Sequence, residues 1–190
     1  SFITATTAFM KKYAVKPMRS PGFGMLMRCM DATECQEVAV AMLRHVATDK
    51  AAATSAGAVY LTALTLDRAD LVEALIEAAH ALPTFALMDH DSTVVAGRGC
   101  AEQSACAAKM AAHGVTVRLL RGKGTSVHYA AVGRTGSFPG IQHTKLLLLG
   151  ALFIHGSVNW ATSSRGNHEK SSLSVLTAEG SDQASRDMRE

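Results

Sequence analysis

The sequence is poor in charge and has no organised cysteine pattern. Only 18% of its 190 residues are charged, so a polyelectrolyte tail or a disordered chain is excluded over most of its length. Its four cysteines, Cys29, Cys35, Cys100 and Cys106, form no C-x-x-C pair. That argues against a zinc ribbon or a thioredoxin-type site, and the spacing is no secreted disulfide framework. Buried free thiols are the expectation. The longest uncharged run, 146–164, contains Gly150, His155, Gly156, Ser157 and Asn159, which no lipid-facing helix holds at its centre, so no membrane span is expected. Two nucleotide fingerprints also fail. Gly97-Arg98-Gly99 lacks the third glycine of a dinucleotide loop. Arg121-Gly122-Lys123-Gly124-Thr125 has no Ser or Thr directly after the lysine, as a Walker loop requires.

Acidic residues are missing from the first thirty positions. Lys11, Lys12, Lys16, Arg19 and Arg28 precede the first acid, Asp31. A basic, Thr/Ser/Met-rich start resembles an organelle transit segment or a basic arm. The expectation is a mitochondrial compartment, a start at Ser1 left by processing, and residues 1–30 as a contact for subunits of a larger assembly. A cytoplasmic protein with an exposed tail is the alternative.

What the sequence does contain is an apolar core, with 48% hydrophobic residues. Thr33 and Gln36 form a capping-box pattern, and Val38, Met42, Leu43 and Val46 recur at helical spacing. Residues 50–57 read as a small-residue linker. Residues 59–66 read as a buried strand. Asp67 is placed to cap a helix with Leu71, Leu75, Ala78 and Leu82 on one face. Pro83 closes that helix before a strand at 84–88. A helix over 101–113 ends at Gly114, and 115–120 reads as a third strand. Residues 121–140 read as a long loop, with Arg121, Lys123 and Arg134 as a basic rim. Strands are expected at 144–149, 151–155 and 173–177. Alternating strands and helices predict an α/β fold with a mainly parallel central sheet flanked by helices. The expected division is a basic extension plus helix over 1–50, a domain over 51–180 and a polar tail over 181–190.

The chemistry concentrates in 142–169. His143 and Lys145 are two apart at the start of an apolar strand, which would put both on one face. After the next strand come Gly156, Ser157 and Asn159, with small residues, a hydroxyl, an amide and free backbone donors at a turn. Lysine, amide and backbone N–H groups together suit a phosphate or its transition state. A histidine beside them can act as nucleophile or acid/base near neutral pH.

His143, Lys145, Gly156, Ser157 and Asn159 match the H-x-K-x4-D-x6-G-S-x-N motif, and Asn167-His168-Glu169 matches the N-x-E element after it. Over roughly 58–178 the chain resembles the phospholipase D superfamily. Where that motif has Asp five residues after the lysine, this chain has Gly150, which reads as deletion of the Asp. The resemblance implies a phospholipase D-like sandwich and a phosphodiesterase that needs no metal or cofactor. It implies that His143 attacks phosphorus and forms a phosphohistidine. Lys145 and Asn159 would hold the non-bridging oxygens, Ser157 would add a contact, and Glu169 would orient the His143 ring. Gly156 and Trp160 would lie against the substrate, a phospholipid such as cardiolipin or a nucleic acid. Core packing is the competing expectation for Trp160. His155 could reach the site or end its strand as a hydrogen-bonded histidine. With one motif per chain, a complete site implies a homodimer sharing it across a twofold axis. The alternative is an inactive homologue serving as an accessory subunit of a larger mitochondrial complex.

Overall fold

The computed structural model describes residues 27–94, 101–129 and 134–175, with side chains over 30–94, 102–121 and 141–174. Strand β1 (Met27–Met30) leads into helix α1 (Ala32–Thr48) and helix α2 (Lys50–Ala56). Then follow β2 (Val59–Ala63), α3 (Ala69–Ala79), β3 (Thr84–Asp89), α4 (His90–Val94), α5 (Ala101–Ala112) and β4 (Thr116–Leu120). Strands β5 (Gly122–Tyr129) and β6 (Arg134–Gly140) pair with each other. Strands β7 (Leu146–Leu149) and β8 (Leu152–Gly156), a 3-10 helix (Thr162–Gly166) and β9 (Ser171–Val175) complete the order.

Seven strands form the main sheet in the order β1-β9-β8-β7-β2-β3-β4. The expected α/β layering is present, but the sheet is parallel only where helices cross over it, at β2–β3 and β3–β4. The other four pairings are antiparallel. The cause is local. A parallel neighbour needs a crossover of a dozen or more residues, and between β7 and β8 only Gly150 and Ala151 are available. Gly150, at φ 56°, occupies the first central position of this two-residue hairpin loop, where glycine is favoured.

The core explains which segments fold. Every residue of β2 is buried, as expected of a central strand covered on both faces. Leu71, Leu75 and Ala78 of α3 are buried together with Leu82, which follows the helix. Helix α1 contributes Cys35, Val38, Ala39, Met42, Leu43 and Val46 to that same core. Strand β1 hydrogen-bonds β9 at the edge of the sheet. Residues 27–48 are therefore built into the domain, and the boundary expected at residue 50 does not divide it. Among the described residues no helix is long and apolar enough to cross a membrane.

Several local expectations are corrected. Helix α1 is capped by Asp31, whose Oδ1 accepts from Glu34 N at 2.9 Å, and Thr33 lies inside the helix. Residues 50–56 are helical because Asp49 accepts from the N–H groups of Ala51 and Ala52, at 2.9 and 3.1 Å. Asp67 does not cap α3; it accepts from Thr162 N at 2.7 Å, tying the loop before α3 to the 3-10 helix. The stretch expected as a loop at 121–140 is largely the β5–β6 pair. Lys123 and Arg134, expected on a basic rim, lie outside the described side chains, as does Gly97-Arg98-Gly99 outside the described residues. The basic segment 1–26 and the tail 181–190 also lie outside them.

Removing residues 1–50 should abolish folding. Val38, Ala39, Met42, Leu43 and Val46 leave the core together, each large apolar side chain being worth about 1.5–3 kcal/mol, against a typical total stability of about 5–15 kcal/mol. A cooperative thermal transition of the 51–190 fragment, followed by circular dichroism, would restore the boundary at 50.

Candidate active site

The site grows out of the β7–β8 hairpin. Its ladder runs from Leu149↔Leu152 to Leu146↔His155, and one further step sets Lys145 opposite Gly156, whose N–H donates to Lys145 O at 3.4 Å. The sequence thereby brings the lysine of one strand beside the Gly-Ser-x-Asn turn of the next. Gly156 is required there by close approach. A Cβ at that position would lie against Lys170 O and 2.5 Å from Ser171 Cα.

Lys145 is buried, at 3% exposure. Its Nζ donates to His143 O at 2.8 Å. Burial pulls the ammonium below the ordinary lysine pKa, and the Glu169 carboxylate pushes in the opposite direction. His143 itself is exposed. The two residues lie ahead of β7, and one is open where the other is enclosed. They are linked through the His143 carbonyl, not as two side chains displayed alike on one strand face.

The backbone around His143 is pinned on both sides by residues that the motif does not contain. Gln142 N donates to Asp89 Oδ1 at 2.7 Å. Asp89 ends β3, is fully buried, and also accepts from Ser92 N at 2.8 Å. On the other side Thr62 Oγ1, from β2, donates to Thr144 O at 3.0 Å. Asp89 and Thr62 carry no signal in the sequence beyond their place at or near the end of an apolar strand.

Ser157 is exposed and locked to the main chain of Lys170. Its N–H donates to Lys170 O at 3.0 Å, its Oγ donates to the same carbonyl at 3.2 Å, and its Oγ accepts from Lys170 N at 3.1 Å. This joins the turn to the residue that follows Glu169. Asn159 N donates to Glu169 Oε2 at 3.3 Å, and Asn167 Nδ2 donates to Glu169 Oε1 at 2.7 Å. The carboxylate expected to orient the His143 ring is thus engaged with the Asn159 turn and with the field at Lys145. Two buried side-chain oxygens, Asn159 Oδ1 and Gln142 Oε1, have no hydrogen-bond partner among the described residues.

Trp160 is turned into the core. It is 1% exposed, and its Nε1 donates to Thr62 O at 2.8 Å. The competing expectation of core packing is the one the structure shows. His155 is half-buried and stacks on Phe153 with ring centroids 4.7 Å apart; burial lowers its pKa. Arg121 is exposed and donates to Asp91 Oδ1 at 2.9 Å, so this part of the expected rim is paired within the chain.

The Lys145 charge should be visible in stability. Its pKa is lowered in the folded state, so between that value and the ordinary value of about 10.4 the unfolded chain holds more protons and stability rises with pH. Lys145→Met removes the group. Its Tm at pH 7 should exceed the parent's, and the gap should close as pH approaches 10. A Tm below the parent's across that range would mean that the buried ammonium is compensated.

No protein-family model matches the chain, and no curated protein sequence matches it. Solved structures do match its fold. NucT from Helicobacter pylori superimposes with a TM-score of 0.59 at 17% identity, covering 87% of this chain and 94% of that one. Nuc from Salmonella typhimurium, described as a phospholipase D family member, matches with a TM-score of 0.58 at 13% identity, covering 88% and 92%. Phosphatidylserine synthase from Haemophilus influenzae matches with a TM-score of 0.54 at 13% identity, covering 86% of this chain but 36% of its own. The likeness runs nearly end to end in the first two: the chain shares their fold, that of a structure described as a phospholipase D family member.

Proposed function

We propose that the protein is a phosphodiesterase of the phospholipase D type that works through a phosphohistidine at His143. The observation that carries this reading is the buried Lys145 ammonium, set between the His143 carbonyl and the Glu169 carboxylate beside the Asn159 turn. Burial disfavours its charge, and one carboxylate offsets that only in part. A phosphodiester anion would supply the remaining counter-charge, so the site gains most when such a group binds.

In the proposed reaction an imidazole nitrogen of His143 attacks phosphorus, forming an N–P bond as the P–O bond to the leaving group breaks. Lys145 and the Asn159 side-chain amide hold the non-bridging oxygens. A second histidine protonates the departing oxygen and then takes a proton from the water that cleaves the N–P bond. The chain has one such motif, so the second imidazole is His143 of another copy. Supporting this, His143 is exposed, and so are Leu120 and Ile141. Leu120 pairs with Asp89, and Ile141 adjoins Gln142. The substrate class follows the chemistry of the phosphodiester group, carried by a phospholipid or a single-stranded nucleic acid.

The alternative of an inactive accessory subunit draws on Gly150, where the motif has Asp. Gly150 lies at the far end of β7 from Lys145, five residues away at about 3.4 Å each, or about 17 Å. An Asp there would brace the hairpin, and its loss leaves the anion pocket in place.

Turnover of a bis-aryl phosphodiester in EDTA tests the reading. The parent should hydrolyse it, and His143→Ala should lose at least about a thousandfold in kcat. Equal turnover by both proteins would remove His143 from the mechanism. Light scattering should give the mass of two chains. A stable monomer with full activity would sink the shared site.

A further inference from the structure

Gln36 is buried at 0% exposure on the inward face of α1, among Cys35, Ala39 and Leu43. A polar side chain there costs free energy unless all its hydrogen-bonding capacity is used. A primary amide has two donor hydrogens and two acceptor lone pairs, and Gln36 uses all four. Its Nε2 donates to Asn159 O at 2.8 Å and to Ala161 O at 2.9 Å. Its Oε1 accepts from Arg68 Nη1 at 2.8 Å and from Arg165 Nε at 3.4 Å. Arg68 is itself buried, and its guanidinium forks onto Asp70 through two bonds of 2.5 Å. A bidentate fork of this kind fixes orientation as well as charge.

The consequence falls on Asn159. Its N–H is held by Glu169 and its carbonyl by Gln36, from opposite sides of the turn. Trp160, the next residue, is fixed through its N–H to Thr65 O at 3.1 Å. If Gln36 served packing alone, an apolar side chain of the same volume would serve better.

We infer that Gln36 is a positioning residue for the phosphodiester site, holding the Asn159 turn through the carbonyls of residues 159 and 161 and coupling it to the Arg68–Asp70 pair. This rests on the function proposed above, in which Asn159 holds a non-bridging oxygen. Gln36 touches no substrate in that scheme. It sets where the Asn159 amide stands, and small displacements of such a group are costly in rate.

The chain has one tryptophan, Trp160, which reports on this turn whether or not the protein is an enzyme. The test compares the parent with Gln36→Met and Gln36→Glu, measuring acrylamide quenching of Trp160, the thermal midpoint, and kcat and KM on a bis-aryl phosphodiester. Gln36→Met removes all four bonds. Gln36→Glu keeps the acceptor towards Arg68 and loses both donors, so it carries the decision if Gln36→Met does not fold. Both variants should show increased quenching in the native state and a fall in kcat of about tenfold to a hundredfold, with KM within about twofold of the parent. A lowered thermal midpoint with unchanged native-state quenching and kcat would overturn the inference and leave Gln36 as a stabiliser of the core. Absence of parent turnover would reject the proposed function instead, while the quenching comparison would still decide whether Gln36 holds the turn.

Discussion

The candidate site is organised around an enclosed positive charge. Lys145 stands at the mouth of the β7–β8 ladder, where its carbonyl accepts the Gly156 N–H and its ammonium turns back to the His143 carbonyl. A buried ammonium is costly unless opposite charge is close. Glu169 answers part of that cost from the loop before β9. The same carboxylate holds Asn159 N and Asn167 Nδ2, so the charge, the turn and the loop are mutually dependent. The Ser157–Lys170 contacts close the loop.

Around this centre a buried polar framework substitutes for apolar packing. Asp89 and Thr62 hold the main chain before and after His143 from the ends of β3 and β2. Gln36, Arg68 and Asp70 hold the other arm, the 159–161 turn. Each of these groups is satisfied by hydrogen bonds, which is the condition for a buried network to give rigidity without a large penalty. The exposed imidazole of His143 is therefore carried on a main chain that has little freedom to move. The nucleophilic role proposed for His143 would gain from such a mounting, since reaction rate depends steeply on placement.

Much of this was legible along the chain because the carriers of the chemistry are close in sequence. The His-x-Lys spacing, the Gly-Ser-x-Asn turn and Glu169 all fall within twenty-eight residues, and an antiparallel hairpin folds such a span onto itself. Continuous apolar runs marked β2, β3, β7 and β8, and a helical stripe of Leu71, Leu75 and Ala78 marked α3. Other readings failed where a local cue was shared by two structures. Asp31 and Thr33 both precede the apolar stripe of α1, and only the geometry of the chain entry selects Asp31 as the cap. Lys50–Ala56 has the small residues of a linker, yet Asp49 turns it into a helix. Trp160, next to Asn159, is turned inward by its bond to Thr62 O.

The sequence by itself determined the layered α/β class and the residue set of the candidate site, because both depend on residue type and short-range periodicity. The tertiary structure alone decided that α1 belongs to the domain, that four of the six pairings in the main sheet are antiparallel, and that Asp89, Thr62 and Gln36 reach the site. Those outcomes join residues 36 and 159, or 89 and 142, across many intervening elements. Such pairings are chosen by which buried polar groups can satisfy one another once the core has closed, and no local pattern records that choice.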